Sequence, residues 1–453
     1  MTSAGRRLLF VPIETKVREF HGKLLFALLA AERGFDCVLG EQRLLRRVLP
    51  YLDHGLYIDK SVPDTRREWF GQCRAMGNRL AAWDEEGLVF FDRRSYRELR
   101  LCPEAFDLID GFFAWGDQQS TAIRESDEVD GGKVFVTGNP RFDMLRPEFR
   151  QFYDEPVRDL RRRHGRIILM NTGFPLANHF QDMAIVRKQF VRYPMYRTPG
   201  VLDAFIESQR TAFAAFKRMV PRLAAEFPDH TILVRPHPSE NRDAWRTLAN
   251  GLQNVVVNAE GNVIEWILAA EVVLHSSCTT GIEAFYLDVP AVGWRNGPDD
   301  RFEQPLPTAL SLNASTDGEM LGHVRAAVTR RAGNPLRKDA EARRIASENV
   351  TGMEGPLACE RILDGLETLD CRRRRRPLAA KLDRWARDKA ADLRKFVENR
   401  GREDRSYAYQ KFPGLSLAEV ESAQGRLRTV TGRFGGVNVA QVSDSCFLVG
   451  EPC

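Results

Sequence analysis

The chain has 453 residues, a formal net charge of +5 and a hydrophobic fraction of 43%. This length is too great for a single domain, so two or three domains are expected. The mild charge gives no reason to expect a nucleic-acid partner, and no stretch approaches the ~20 apolar residues that span a bilayer. The eight cysteines stand singly without the CxxC spacing of a metal site, which predicts reduced, buried thiols and no bound metal.

The N-terminal third alternates short apolar runs with helical patterns. Residues 8–13 form an apolar run that ends in Glu14 without a signal-peptide cleavage site, and we interpret it as the first strand. A helical pattern at about residues 18–33 stops at Gly34, and the next apolar run begins at Phe35. Strand, helix and strand in this order predict a parallel sheet, and hence a Rossmann-like domain over residues 1–145. Further strands are expected at residues 55–58, 80–83, 111–115 and 133–137.

A second alternation of strands and helices follows a turn and a linker. The turn is Gly138-Asn139-Pro140, and residues 146–163 have the charged, proline-containing composition of a linker. Apolar runs and a long helical pattern then predict a second Rossmann-like domain over residues 164–335, with a helical crossover at 336–370. Its strands are expected at residues 166–170, 231–235, 272–275 and 291–294, and its long helix at about residues 201–227. The predicted fold class is α/β, with two Rossmann-like domains facing across a cleft.

The C-terminal tail, residues 371–453, is strongly basic at its start. Five arginines at positions 372–376 precede a pattern with apolar residues on one helical face, Trp385 among them. A basic amphipathic helix with an aromatic residue suits the surface of an anionic membrane. The alternative is that the apolar face packs on the protein itself. Nucleic-acid binding is less favoured, because basic and aromatic residues are not interleaved elsewhere.

Two strands of the second domain end in residues that suit a phosphate. One run ends in Arg235-Pro236-His237-Pro238, where the prolines restrict the backbone on both sides of the imidazole. The other ends in Ser276-Ser277, and a helix expected near Thr279 would point free N–H groups at the same edge. The alternative interpretations are an ordinary surface loop and a helix cap. Glu283, in the first turns of that helix, could accept hydrogen bonds from a ribose or simply favour the helix N-terminus.

Three consecutive acids, Asp84-Glu85-Glu86, followed by Gly87, end a strand of the first domain. Carboxylates this close perturb each other's pKa, and one of them at a strand end could act as a general base. A solvated acidic turn is the alternative.

Small polar residues follow the first strand of each domain. Asn171, Thr172 and Gly173 would let the backbone approach a ligand closely in the second domain. Glu14 and Thr15 hold the matching place on the acceptor side, in the first domain. The sequence has neither a GxGxxG fingerprint nor a GxxxxGK[ST] loop, which argues against a nicotinamide dehydrogenase and a P-loop NTPase.

These motifs together resemble those of nucleotide-sugar enzymes with the GT-B fold. The likeness is to surface or capsular carbohydrate biosynthesis proteins, related to bacterial Kdo transferases and, further away, to sialyltransferases and CDP-glycerol glycerophosphotransferases. It implies that His237-Pro238 and Ser276-Ser277 hold the phosphate of a CMP-sugar and that Glu85-Glu86-Gly87 supplies the general base. The segments at residues 12–25, 138–143 and 411–414 carry the remaining resemblance.

The function expected from this resemblance is that of a metal- and cofactor-independent glycosyltransferase of surface polysaccharide assembly. It would move Kdo or a related acidic sugar from a CMP-sugar to a glycan or lipid-linked acceptor. Glu85 is favoured as the base, with Glu86 and Asp84 open, and His237 would stabilise the departing phosphate. The expected location is cytoplasmic, with peripheral contact to the inner membrane. The alternatives are a UDP-sugar 2-epimerase and a non-catalytic glycan-binding relative.

Overall fold

The computed structural model describes residues 6–191, 193–295, 301–330, 333–369, 373–377, 379, 381 and 411–451. Strands and helices alternate along most of this length, as the apolar runs predict. The elements up to residue 136 are β1 (Arg7–Ile13), α1 (Lys16–Glu32), β2 (Phe35–Glu41), α2 (Gln42–Val48), β3 (Leu56–Asp59), α3 (Arg67–Ala75), β4 (Arg79–Trp83), α4 (Arg93–Arg100), α5 (Pro103–Asp107), β5 (Gly111–Ala114), α6 (Asp117–Arg124) and β6 (Val134–Val136).

The second α/β unit and the C-terminal elements follow. They are α7 (Pro140–Asp143), α8 (Asp154–His164), β7 (Arg166–Asn171), α9 (Met183–Phe190), α10 (Val201–Glu226), β8 (His230–Arg235), α11 (Asp243–Ala249), β9 (Val255–Val257), α12 (Val263–Ala269), β10 (Val272–His275), α13 (Thr279–Tyr286), β11 (Ala291–Trp294), α14 (Pro305–Ala309), β12 (Leu312–Ala314), α15 (Asp317–Arg330), α16 (Ala340–Asn349), α17 (Ala358–Glu367), α18 (Leu417–Thr431), β13 (Asn438–Ser443) and β14 (Cys446–Gly450).

Two sheets form the frame of the molecule. The first has the strand order β13-β14-β2-β1-β3-β4-β5-β6, and the second has the order β12-β11-β10-β7-β8-β9. All neighbours pair in parallel except β13 with β14 and β14 with β2. In each sheet the strands that follow the unit's first strand, β1 or β7, are added first on one side of it and then on the other. The expectation of an α/β fold with two Rossmann-like sheets is confirmed.

Helices cover both faces of the strands, so the strands are apolar throughout rather than alternating. Helix α1 is the extreme case, because it is buried from Leu24 to Ala31 against the first sheet and α17. Gly22 lets α1 lie directly on α7, since a Cβ there would lie 2.7 Å from the Pro140 carbonyl oxygen. Helix α1 therefore reaches the seam between the two units, and its N-terminus lies at the cleft edge of β1.

The described end of the chain differs from the helical tail expected at residues 371–453. Residues 438–450 form a hairpin that extends the first sheet at β2, and Phe447 and Val449 are fully buried in the core of the first unit. Gly40 on β2 makes this close approach possible, because a Cβ there would lie 2.5 Å from the Cys446 Sγ. The predicted membrane-binding helix falls almost entirely on residues 382–410, outside the described part of the chain.

The turn at residues 138–143 ties the two units together. Asn139 accepts a hydrogen bond from the Arg141 amide at the start of α7. Asp143 accepts from the amides of Ala358 and Cys359, both at 2.8 Å, and so caps α17 as the chain returns to the first unit. Burial raises the pKa of Asp143 to about 6. The domain boundaries themselves stay a prediction.

Two further findings concern the described residues only. None of their helices is both long and apolar enough to cross a bilayer. Their cysteines are free thiols, and in this part of the chain no group of three or more His, Cys, Asp or Glu side chains is arranged to hold a metal ion.

Candidate functional site

Polar residues meet at the carboxyl edge of the second sheet. Strand β7 lies between β8 and β10, which is the point of reversal where open α/β sheets bind ligands. Asn171 ends β7 opposite Arg235, which ends β8, and Ser276 follows β10. Asn171 is buried, yet neither atom of its side-chain amide has a hydrogen-bond partner. A buried amide without partners is costly, so this edge has unmet capacity to bind a polar ligand.

His237 is held in one tautomer by its own loop. Its Nδ1 accepts a hydrogen bond from the Ser239 amide at 3.2 Å, and the Ser239 hydroxyl lies 2.6 Å away. Because Nδ1 is an acceptor, the proton of the neutral ring is on Nε2. Part of the side chain is exposed to solvent, but desolvation of the ring together with the charge of Arg18 lowers its pKa to about 4. At neutral pH His237 therefore presents a neutral N–H donor to the cleft.

Glu240, which the sequence did not single out, organises the loops after β7 and β8. Its buried carboxylate accepts hydrogen bonds from the Thr172 hydroxyl at 2.6 Å and from the His237 amide at 3.2 Å. The same carboxylate accepts from the Phe174 amide and the Trp245 indole N–H. These bonds join the two predicted ligand loops into one rigid unit.

Arg235 already makes two structural contacts at the end of β8, and its predicted phosphate contact stays a prediction. Its guanidinium donates to the carbonyl oxygens of Glu260 and Gly261, both at 2.6 Å. Burial lowers its pKa to about 10, so it remains charged at neutral pH. It holds the loop after β9 against the end of β8, beside the exposed Pro238.

The turn after β10 is strained and capped. Ser277 has a φ of +44°, which is uncommon for a residue other than glycine. Its hydroxyl accepts a hydrogen bond from the Gln304 amide at 2.7 Å, so this side chain already has a structural task. Ser276 and Thr279 are half-buried at the same edge, where α13 begins and presents its N-terminal amides.

The three acids of the first unit have three different environments. Asp84 is buried and bound by both ends of the Arg100 guanidinium, which makes it structural. Glu86 is half-exposed. Partial burial of its carboxylate would raise its pKa, but Arg100 and Arg18 lower the pKa well below the usual range. Glu85 is buried, with Oε1 at 3.0 Å from the Lys23 Nζ and Oε2 without a hydrogen-bond partner.

Lys23 connects Glu85 to helix α1. Its Nζ lies 2.8 Å from the Glu19 Oε2 and donates to the Pro12 carbonyl oxygen at 2.7 Å. Burial alone would raise the pKa of Glu19, but Lys23 and Arg18 lower it. Glu19 also accepts from the amides of Glu14 and Thr15 and so caps the start of α1. Thr15 thus contributes backbone contacts to this arrangement.

Arg141 bridges the two units at the base of the cleft. One of its nitrogens donates to the Glu85 carbonyl oxygen at 3.0 Å, and another donates to the Glu283 Oε1 at 3.0 Å. Burial raises the pKa of Glu283, and Arg141 opposes this shift. Arg18, Arg141 and Glu283 line a cavity of about 20 Å³, enough for roughly one water molecule. Arg141 thus links the backbone at Glu85 in the first unit to Glu283, the predicted ribose contact, in the second.

Glu14 directly follows β1, at the carboxyl edge of the first sheet. Its carboxylate forms ion pairs with Lys60, which follows β3, and with Lys411 at 2.9 Å. The predicted acceptor-side residue is therefore already neutralised by two lysines.

Sequence reasoning missed Arg18, Lys23, Arg141, Glu240 and Lys411. Two signals were available. Glu19 and Lys23 are oppositely charged residues four positions apart at the start of a helix pattern that is apolar from Leu24 to Ala31, and buried charges must be paired. Glu240 lies two residues after the Arg-Pro-His-Pro motif, but only the folded loops reveal that its carboxylate turns back onto them.

Comparisons with known proteins gave structural matches alone. No family model and no curated protein sequence matches the chain. The UDP-GlcNAc 2-epimerase of Methanocaldococcus jannaschii, solved with UDP-GlcNAc and UDP, matches with a TM-score of 0.50 and 14% identity over 80% of this chain and 99% of its own. The UDP-GlcNAc 2-epimerase of Neisseria meningitidis, bound to UDP-GlcNAc, has a TM-score of 0.48 and 13% identity over 80% of this chain and 99% of its own. At this identity the likeness concerns the fold.

The expected family is wrong. The M. jannaschii structure, which matches with a TM-score of 0.50, is a UDP-GlcNAc 2-epimerase, not a Kdo transferase or sialyltransferase of the surface carbohydrate group. That structure was solved with UDP-GlcNAc and UDP, so the expected CMP-sugar partner and the glycosyltransferase activity are also corrected. The physical reason is that the His-Pro and Ser-Ser motifs lie where they would contact phosphate, a group that CMP-sugars and UDP-sugars share. Such motifs predict neither the base nor the reaction.

Proposed function

We propose that the chain binds a UDP-sugar between its two units and inverts carbon 2 of the sugar. One observation carries this proposal: Arg141 donates both to the Glu85 carbonyl oxygen in the first unit and to the Glu283 carboxylate in the second, on the helix that begins at the phosphate-suited edge. The fold likeness to the M. jannaschii epimerase, solved with UDP-GlcNAc and UDP, supports it. UDP-GlcNAc is therefore the first substrate to test.

The nucleotide would bind to the second unit. His237 would donate its Nε2–H to the diphosphate, and Ser276, Thr279 and the N-terminal amides of α13 would complete the contacts. Glu283 would accept hydrogen bonds from the ribose hydroxyls through the oxygen that Arg141 does not bind. Asn171 would gain the partners that its buried amide lacks. Arg235 and Glu240 would position these loops.

Inversion of a carbon requires removal of its proton from one face and return of a proton to the other. The C2–H bond of a sugar is only weakly acidic, so the proton would leave together with the diphosphate on C1, and a C1=C2 double bond would form. The epimer would then form when the same UDP adds back to C1 and a proton adds to the opposite face of C2. Glu85 is the proposed base, because Lys23 fixes one of its oxygens and leaves the other without a partner. Glu86 is less suited, because its lowered pKa makes it a weaker base.

Thermal unfolding with different nucleotides tests the binding half of the proposal. The full chain is heated with UDP, CMP or GDP at equal concentrations. UDP is expected to raise the melting temperature most, since a ligand at 100 times its Kd adds about 2.7 kcal/mol to stability. No shift with UDP would overturn the proposal.

The reaction itself is followed by proton NMR of UDP-GlcNAc in D₂O. We expect the C2 epimer to appear with deuterium at C2, because a base that takes the proton exchanges it with solvent before returning it. A UDP-induced shift in melting temperature without any epimer would reject the catalytic half and leave a nucleotide-sugar-binding protein.

A further inference from the structure

A second group of polar side chains lies at the carboxyl edge of the first sheet, apart from the acidic turn that holds Glu85. Strand β1 lies between β2 and β3, just as β7 lies between its neighbours in the second sheet. Open α/β sheets bind ligands beside such a strand. Asp59 ends β3, and Gln42 begins α2 directly after β2. The fold thus favours a ligand at this position as well.

Two arginines share the buried carboxylate of Asp59. Arg46 donates to its Oδ2 at 3.2 Å, and the Arg66 Nε lies 3.3 Å from its Oδ1 without the alignment of a hydrogen bond. Glu41, the acid that precedes α2, caps the Leu44 amide instead. The side chains of Arg46 and Arg66 are 24% and 14% exposed, so both guanidinium groups can be reached from solvent.

Trp69, on α3, packs against the same arginine. The Arg46 guanidinium carbon lies 4.7 Å from the centroid of the Trp69 ring, which meets the Tyr57 ring edge-on at 5.6 Å. Gln42 lies four residues before Arg46 on α2, so the two side chains share one face of that helix. The group that we call the Asp59 cluster thus comprises Gln42, Arg46, Tyr57, Asp59, Arg66 and Trp69.

Four enclosed polar atoms of the Asp59 cluster have no hydrogen-bond partner in the described part of the chain. Three of them are donors, namely the Gln42 Nε2, the Arg66 Nε and the Trp69 Nε1, and the fourth is the Asp59 Oδ1. Gln42 is 7% exposed and Asp59 is fully buried. Buried polar groups without partners are rare because they are costly. Three unmet donors beside two guanidinium groups favour an oxyanion over a cation.

We propose that the Asp59 cluster binds a phosphate group, either as the free ion or on a small molecule. Arg46 and Arg66 would supply the charge, because planar guanidinium groups match phosphate oxygens well. The Gln42 amide and the Trp69 indole N–H would donate to the remaining oxygens, and Asp59 would hold both arginines in position. A carboxylate suits the cluster less, since it offers two oxygens to three unmet donors. The inference uses no residue of the proposed epimerase site and stands apart from that function.

The test is the affinity of the full chain for inorganic phosphate and for glycerol 3-phosphate, measured by calorimetry. Wild type is compared with Gln42→Met, Trp69→Phe and the control Gln72→Met, whose exposed amide on α3 donates to the Glu68 carboxylate. We expect Gln42→Met and Trp69→Phe each to weaken binding about 10-fold, the effect of roughly one charge-assisted hydrogen bond. Gln72→Met should keep the full affinity. The ligand that binds more tightly shows whether the site takes the free ion or an ester.

Melting without ligand separates binding from packing. Gln42→Met should melt at or above the temperature of wild type, because an apolar side chain replaces a buried amide donor without a partner. A lower melting temperature would show that this amide stabilises the fold, and it would overturn the inference. Absence of phosphate binding in wild type, or equal binding in all four proteins, would overturn it too. Phosphate bound only at the second unit would give that equal binding, because no variant changes His237 or Ser276.

Discussion

At the residue scale, the neighbours of each acid in Asp84-Glu85-Glu86 decide what its carboxylate can do. Arg100 occupies both oxygens of Asp84, and the two arginines around Glu86 stabilise its charged form. Glu85 alone combines burial with a carboxylate oxygen that lacks a partner. The difference arises because α1 brings Lys23, and α4 brings Arg100, to opposite sides of the same short turn.

Replacing Glu85 by Gln tests its assignment as the base. The change keeps the shape of the side chain but removes the proton acceptor, so turnover of UDP-GlcNAc should fall about 100-fold or more. UDP affinity should not change, because the carboxylate lies on the sugar side of the proposed site. Glu86→Gln is the control and should retain most of the activity. Equal losses in both variants would remove Glu85 from the proposed role.

Glu240 is the other residue whose role depends on its donors. Its carboxylate accepts from two backbone amides, a hydroxyl and an indole N–H, all in or next to the ligand loops. Glu240→Gln would turn an NH₂ group toward some of these donors and leave them unpaired, at a cost of about 1–3 kcal/mol each. We expect lower stability in urea and weaker UDP binding together. The exposed Glu260, changed to Gln, should alter neither.

At the element scale, the hairpin of β13 and β14 protects an edge of the first sheet. Without it, β2 would be an edge strand with unpaired backbone groups and a buried apolar face. The pairing requires that Gly40 remain without a side chain, since both Cys446 and the Ser445 carbonyl oxygen lie within 2.6 Å of a Cβ built there. A local feature of β2 thus depends on residues more than 400 positions away.

The substitution Gly40→Ala measures this dependence. Because the backbone of β14 must move to admit the methyl group, the free energy of unfolding should fall by about 1–3 kcal/mol. Gly71→Ala in α3 is the matched control, since nothing lies within 4 Å of its added Cβ. There the higher helix propensity of alanine should stabilise the chain by about 0.5–1 kcal/mol. Urea denaturation of wild type and both variants measures these changes in the free energy of unfolding.

At the scale of the whole molecule, shifted pKa values of buried groups make the free energy of unfolding depend on pH. His275 ends β10 and is fully buried, with Nε2 at 2.8 Å from the Ser311 hydroxyl, and burial lowers its pKa to about 4. Its ordinary pKa is about 6.5. Between pH 4 and pH 6.5, unfolding is therefore accompanied by protonation of this residue. The stability that the buried neutral ring contributes above pH 6.5 is lost as the pH falls toward 4.

We predict that His275→Gln flattens this part of the pH profile. Wild type should lose stability relative to the variant by about 1.4 kcal/mol for each pH unit between 6 and 4. The raised pKa of Asp143 acts in the opposite direction, but it is common to both proteins and cancels in the difference. Urea denaturation at pH 7, 6, 5 and 4 gives the comparison. Parallel profiles would show that His275 is not the titrating group.

Much of the architecture could be predicted from local pattern. Strands expected at residues 80–83, 272–275 and 291–294 are observed at Arg79–Trp83, Val272–His275 and Ala291–Trp294. The strands β9 and β12 were missed because a three-residue run gives little periodicity to detect, although β6, of the same length, was predicted. The hairpin at the end of the chain was missed because its partner, β2, is distant in sequence.

The sequence by itself determined the α/β class, the two Rossmann-like units and the polar strand ends, since apolar runs, turn residues and strand–helix alternation are local properties. Tertiary structure alone decided which charges meet there. Lys23 with Glu85, Arg141 with Glu283 and Lys411 with Glu14 are separated by 62, 142 and 397 positions. Such pairs form only when the strand ends converge on one cleft, because no local pattern encodes contacts at these separations.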